Sequence, residues 1–513
     1  MTAVINAFFL VFIVLTLLSS SLWKSSLWCF SSWAFVSLET GVIMAALAAS
    51  LLNRKLSDKL LRRSSRWFPS GTLRLLAVAA ASLFILWLFR VRHDLWGERH
   101  IITAALDSGA IIRPGAPLAS FLNWALFRLV NSAFIWNSAS ASALMSILAG
   151  TFYVMAALHA ADLLHDEEKD KNNPRAISSV FLLSNGFVVL FFGAGGNTPL
   201  ATLFACLFIL SSILFLRHKA PLILCAFLLA LSIFSHPSTA YLLPGFIYML
   251  ALELRSPERV RKALAAAGML IACWIAVELI LSATGNIGPS MYLLKIASVS
   301  IREMPDTGLH KLSRYLLAAL NGFLIIGPAS VAAIVLLLSG RPRKEHAASD
   351  QGNLLEEVRL LTLFAVPAII LFLFGAGRID QGLRWENLAS TGPALSLYVL
   401  WALRRRLPDR PGFQRAALLL AALGIFHTLP CLLVNVFPEF AEKRLSQLPL
   451  EPGRSETILG SRALQREDYD KAFKWFSISA EKDSLNDETF SRLGEIEMKR
   501  ENSIEAISNF SRA

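Results

Sequence analysis

The stretch Ala416–Phe437, AALLLAALGIFHTLPCLLVNVF, runs 22 residues without a charged side chain, and Pro438–Thr457, PEFAEKRLSQLPLEPGRSET, follows it with no transition. A helix that crosses a bilayer needs about 20 mostly apolar residues. The first stretch meets that requirement, and the second is too charged to continue into lipid. Toward the amino terminus the same kind of stretch recurs: roughly 5–22, 27–52, 73–89, 139–164, 177–192, 199–216, 221–234, 241–254, 263–283, 315–339, 360–375 and 388–403. With the quoted one, that predicts an all-α polytopic membrane protein of about 13 spans. The composition agrees, since 55% of the 513 residues are hydrophobic and 17% charged.

The net charge of +12 is read by position. Lys and Arg in excess mark the cytoplasmic loops of a membrane protein, so no nucleic-acid partner is inferred. The loops 53–66, 165–175, 217–219, 255–262, 341–359 and 404–415 hold about twice the Lys and Arg of the alternate set. This places the amino terminus in the cytoplasm and the carboxyl terminus outside, periplasmic if the membrane is a bacterial inner membrane. Three outer loops are then long or rich in polar groups: 91–138, 284–314 and 377–387. The five Cys (Cys29, Cys206, Cys225, Cys273, Cys431) sit singly in apolar blocks, without metal or redox spacing. The chain divides into residues 1–70 with two spans and a basic loop, a core over 71–437, a linker over 438–454, and a helical tail over 455–513.

Within the tail, residues recur at a 34-residue period: Leu459 with Leu493, Gly460 with Gly494, Ala472 with Ala506, Phe476 with Phe510, and Arg466-Glu467 with Arg500-Glu501. This spacing resembles the tetratricopeptide repeat, a helix-turn-helix unit of 34 residues. The resemblance implies an exoplasmic tail that holds a protein or peptide partner. Two repeats bury little core by themselves, so the tail is expected to pack on the outer loops or pair with another copy.

The densest polar cluster follows the 73–89 span: Arg92-His93-Asp94-Leu95-Trp96-Gly97-Glu98-Arg99-His100, then Asp107-Ser108-Gly109 and Arg113-Pro114-Gly115-Ala116-Pro117-Leu118. Charges at the lip of a span are costly and mark function by default. Asp94 and Glu98 are four apart and share a face if the segment is helical. The plain alternative is that they pair with Arg92 or Arg99. Glu39 and Glu278 lie inside apolar stretches and are candidates on the same ground. Trp23, Trp28 and Trp33 suit lipid-facing or interface positions.

The order of an acidic residue outside a span, a short Gly- and Ala-rich helix and then Pro-Gly-x-Pro-Leu resembles the first outer loop of the multi-span GT-C glycosyltransferases, in particular the protein O-mannosyltransferase-like branch. Two further segments are similar: Phe234-Ser235-His236-Pro237-Ser238-Thr239-Ala240 and Gly196-Asn197-Thr198-Pro199-Leu200. The second lacks the family's Glu and Tyr. The resemblance implies transfer of a sugar, mannose or another hexose, from a polyprenyl-phosphate donor to a protein or envelope-glycan acceptor on the outer face. It assigns the catalytic carboxylate to Asp94, with Glu98 as partner or substitute and Asp94 as ligand if a divalent ion is used. His236 would bind the sugar phosphate or assist proton transfer, and His93 and Arg113 would bind substrate. Arg378 and Arg384 have the right side and charge for the lipid phosphate, although taken residue by residue pairing with Asp380 and Glu386 is the simpler account of them. Two other readings stand beside this one. An O-antigen ligase or polymerase-like enzyme would carry its Arg and His in a large late loop, and a transporter or membrane scaffold would display the repeats without chemistry.

Overall fold

The computed structural model describes residues 2–22, 27–64, 72–93, 95, 98–109, 111–165, 175–286, 288, 290, 309–339, 351–375, 385–407, 409–448, 450 and 452–513. Every regular element among them is helical. The first six helices are α1 (Thr2–Leu22), α2 (Leu38–Ser50), α3 (Arg54–Ser64), α4 (Thr72–Leu88), α5 (Arg99–Asp107) and α6 (Pro117–Phe134). Next come α7 (Ser138–Leu164), α8 (Arg175–Leu183), α9 (Thr198–Leu216), α10 (Leu222–Ser235), α11 (Leu243–Leu254) and α12 (Val260–Ala283). The bundle closes with α13 (Leu309–Ile326), α14 (Pro328–Leu338), α15 (Gln351–Gly375), α16 (Glu386–Ala389), α17 (Gly392–Arg406) and α18 (Arg410–Val436). The tail comprises α19 (Pro438–Leu445), α20 (Arg454–Gln465), α21 (Tyr469–Lys482), α22 (Asp487–Lys499) and α23 (Ser503–Arg512).

The fold class is the expected one, an all-α polytopic membrane protein, but its spans are less regular than the apolar stretches suggest. Among the described residues, Ser138–Leu164, Thr198–Leu216, Pro257–Ala283 and Arg410–Val436 are long and apolar enough to cross a bilayer unbroken. Two further stretches bend sharply, by 115° between Trp28–Phe35 and α2, and by 114° between α13 and α14. The second bend has a local cause. Gly327 adopts φ +139°, a conformation open to residues without Cβ, and Pro328 supplies no N–H to continue the ladder. The first bend restarts at Ser37, whose hydroxyl accepts from the Thr40 N–H at 3.3 Å, a normal N-cap.

These breaks move several residues from where an unbroken span would put them. Glu39 lies in the exposed first turn of α2, beside the bend. Glu278, by contrast, stays inside the unbroken Pro257–Ala283 stretch, where it accepts from the N–H and hydroxyl of Ser290 at 3.2 and 3.1 Å. Trp28 and Trp33 are buried rather than lipid-facing, with Trp33 against Phe426 at 4.3 Å between ring centroids. The stretch 177–192 becomes the short α8 and a 3-10 turn, Gly186–Phe191, both buried.

The tail does not hang free. Leu445, Leu448, Leu459 and Ile458 belong to the same apolar core as the bundle. Glu442 in α19 gathers Arg462, Arg466 and Lys471 at 3.4, 3.6 and 3.5 Å, fastening α20 and α21 to the end of α18. Beyond it, Phe476, Phe490, Leu493 and Ile496 form a core of their own. A Cβ at Gly460 would stand 3.0 Å from the Phe476 ring, and one at Gly494 would stand 2.7 Å from Phe510. The same close approach therefore recurs at the 34-residue offset.

Candidate functional site

The described residues between α4 and α5 include two carbonyls held by one guanidinium. Arg99 is buried, and its Nη1 donates to the carbonyls of Val91 and His93 at 3.0 Å each and of Gly193 at 3.4 Å, while Nη2 donates to Ala139 at 3.2 Å. The planar fork suits several carbonyls at once, so one residue joins the loop, the start of α7 and the turn before α9. That turn approaches closely because Gly195 has φ +72° and any Cβ there would lie 2.7 Å from Arg99 Cγ. Glu98 is thereby fixed at the mouth of the bundle.

Four separate segments meet at Glu98. Asn197 Nδ2, just ahead of α9, donates to Glu98 Oε2 at 2.9 Å. The Glu98 backbone N–H donates to Oε1 of the buried Glu386 at 2.7 Å. His236, at the end of α10, is near enough that the Glu98 carboxylate raises its pKa, although burial is the larger effect and leaves the imidazole below its ordinary value. Ser238 Oγ lies 2.7 Å from His236 Nδ1 and 3.0 Å from Ser390 Oγ, and the Tyr241 hydroxyl donates to the Ser390 carbonyl at 2.9 Å. A half-buried carboxylate, an imidazole and an amide side chain at one point have the makings of a proton-transfer and oxyanion site.

Of the residues expected from the sequence, Glu98 and His236 come together here. His93 does not join them. It is buried toward the tail, where burial first, and then Arg462, Arg99 and Arg444, hold its pKa well below the ordinary imidazole value, with a bond to Asn435 opposing them. It sits at the junction of bundle and tail. Arg113 is half-buried, and its Nη1 is enclosed without a hydrogen-bond partner among the described residues. Asp94, Arg378 and Arg384 lie outside the described residues, as do most of 284–314 and 377–387. Sequence reasoning missed Glu386 as a partner of Glu98, because 288 residues separate the two. The resemblance did mark the segment that holds Asn197. Among the described residues no cluster of three or more His, Cys, Asp or Glu is placed to hold a metal ion.

An apolar groove of about 690 Å³ lies along α7 and α9, with Leu228 of α10 on its wall. Met145 and Leu200 line it near the site, Phe152 and Phe204 midway, and Ser211 and His159 near the far end. Phe152 is 61% exposed, so the groove opens sideways from the bundle.

No family model and no curated protein matches the chain. Its structure is similar to the crystal structure of ArnT from Cupriavidus metallidurans bound to undecaprenyl phosphate, at 13% sequence identity and a TM-score of 0.34, over 86% of this chain and 76% of that one.

Proposed function

We propose that the chain is a membrane glycosyltransferase of the GT-C type, moving a hexose from a polyprenyl-phosphate donor to a protein or envelope-glycan acceptor on the outer face of a bacterial inner membrane. One observation carries this reading: hydrogen bonds join Glu98 to Asn197 and Glu386, and His236 is tied through Ser238 to Ser390, four residues beyond Glu386, so that four distant segments come together. Three of those segments bear the resemblance, and the fourth lies in the late outer loop that the sequence singles out. The apolar groove beside the site suits an isoprenoid tail, whose burial is favourable in proportion to the apolar area covered.

In this reading Glu98 takes the proton of the acceptor hydroxyl. Asn197 holds Oε2 and leaves Oε1 for that proton. The acceptor oxygen forms a bond to the anomeric carbon as the bond from that carbon to the phosphate oxygen breaks, and polyprenyl phosphate departs with the electron pair. Cations near the departing phosphate stabilise it, a role proposed for Arg113, Arg378 and Arg384. Asp94 is proposed as the second carboxylate and as the ligand if a divalent ion takes part. The tail, in its tetratricopeptide-like reading, presents the acceptor beside the site.

The test is transfer by the full-length protein in nanodiscs, with polyprenyl-phosphate hexose as donor and release of polyprenyl phosphate as readout. Loss of transfer in Glu98→Gln, with thermal unfolding unchanged, is expected. Undiminished transfer in that variant overturns the assignment. Transfer of a preassembled glycan, with no use of a single hexose, favours the ligase-like enzyme instead.

A further inference from the structure

The hydrogen bonds around His236 determine which ring nitrogen carries its proton. The backbone N–H of Ser238 donates to Nδ1 at 3.3 Å. An amide nitrogen has a hydrogen to give and no lone pair to offer, so Nδ1 is the acceptor and is bare. The contact of 2.7 Å between Nδ1 and Ser238 Oγ then runs in one direction, from hydroxyl to ring. With its only hydrogen used, Ser238 Oγ accepts from Ser390 Oγ at 3.0 Å. Ser390 is itself positioned through its carbonyl, which accepts from the Tyr241 hydroxyl at 2.9 Å. The donors point along one path, from Ser390 through Ser238 to Nδ1, and such a chain strengthens each of its bonds.

A neutral imidazole with a bare Nδ1 carries its hydrogen on Nε2. Moving that hydrogen to Nδ1 would set two N–H groups head to head against Ser238. Protonating the whole ring would create the same clash, and burial already disfavours the charged form. Among the described residues Nε2 makes no hydrogen bond, and the ring is only half-buried. We propose that His236 is a fixed, neutral hydrogen-bond donor, offering Nε2–H to an anionic phosphate oxygen of the lipid-linked substrate, and that it takes no proton from the acceptor. The inference rests on the proposed function for the identity of the substrate, and it divides the labour of the site. Glu98 has a lone pair to accept the proton; His236 has a hydrogen to hold the leaving oxygen.

Two experiments test it, and only the second depends on sugar transfer. Nitrogen NMR of the full-length protein, labelled with 15N-histidine in nanodiscs and assigned by the signals missing from His236→Gln, reports the tautomer. An unprotonated Nδ1 paired with a protonated Nε2 is expected at pH 7, and Nδ1–H overturns the proposal even if the protein transfers no sugar. In the second experiment the Gln amide of His236→Gln stands where Nε2–H stood, whereas the Asn amide of His236→Asn stands where Nδ1 stood. Removing one preorganised donor costs about 10²–10³-fold in turnover. His236→Gln is therefore expected to keep most of the turnover, and His236→Asn and His236→Ala to lose about that factor. Equal loss in all three variants, or a better His236→Asn than His236→Gln, overturns the donor role. If the wild-type protein transfers no sugar while the Nε2–H tautomer is found, the glycosyltransferase reading has failed and the hydrogen-bond assignment has not.

Discussion

At one end of the bundle Glu357 in α15, 1% exposed at its side chain, accepts from Arg217 through Nε at 2.6 Å and Nη2 at 3.1 Å, and from the Trp401 indole at 2.7 Å. Arg217 Nη1 donates in turn to the Leu163 carbonyl at 2.7 Å. At the other end Glu98 is half-buried, and among the described residues its carboxylate is held by a neutral amide on one oxygen. Each carboxylate sits where helices end, yet the first is closed and the second open. A buried charge that is matched on every side contributes register and rigidity. One that keeps an oxygen free can still act on something else.

The contrast can be broken or sharpened by substitution. The largest effect is expected at Glu98: Glu98→Gln should lower transfer by about 10²–10⁴-fold, with the unfolding temperature unchanged by differential scanning fluorimetry. At the closed end the readouts should be reversed. Arg217→Ala strands Glu357 and should cost about 3–5 kcal/mol of stability, measured by denaturant titration in detergent, whereas the double replacement Arg217→Met with Glu357→Leu should recover most of that loss. A double variant no more stable than Arg217→Ala would mean that the pair does more than satisfy itself. Asn197→Ala removes one bond to Glu98 and should cost about 1 kcal/mol, appearing in the rate of transfer rather than in global stability. The smallest effect concerns His93. Its pKa in the folded protein lies well below the ordinary value, so the unfolded chain binds more protons as pH falls through about 6.5. Stability should therefore be fully present above that pH and decline below it. His93→Gln should flatten the decline between pH 7.5 and 5 in melting experiments; an unchanged slope would place the titrating group elsewhere.

Much of the site was legible because charge is scarce in this sequence. Glu98 stood out as a carboxylate at a span end, His236 stood out beside Pro237, and the Gly196-Asn197 turn was noticed through its resemblance. Glu386 was read as a partner for nearby Arg384, since a sequence reveals neighbours along the chain and gives no sign of contact across 288 residues. The surroundings of His93 were hidden for the same reason, since only the packing of α19 and α20 brings Arg444 and Arg462 near it. The bends at Ser37 and Gly327 were hidden in apolar composition, which counts residues without registering a left-handed φ or the missing N–H of Pro328.

The sequence by itself determined that this is a helical membrane protein with a charged, periodic tail, because those properties depend on local composition and spacing along one chain. Tertiary structure alone decided that Arg99 draws three segments around Glu98, that Asn197 and Glu386 hold it, and that Ser238 fixes the proton of His236. Such choices depend on which donors and acceptors face each other once the helices pack, and that is a property of distance in space.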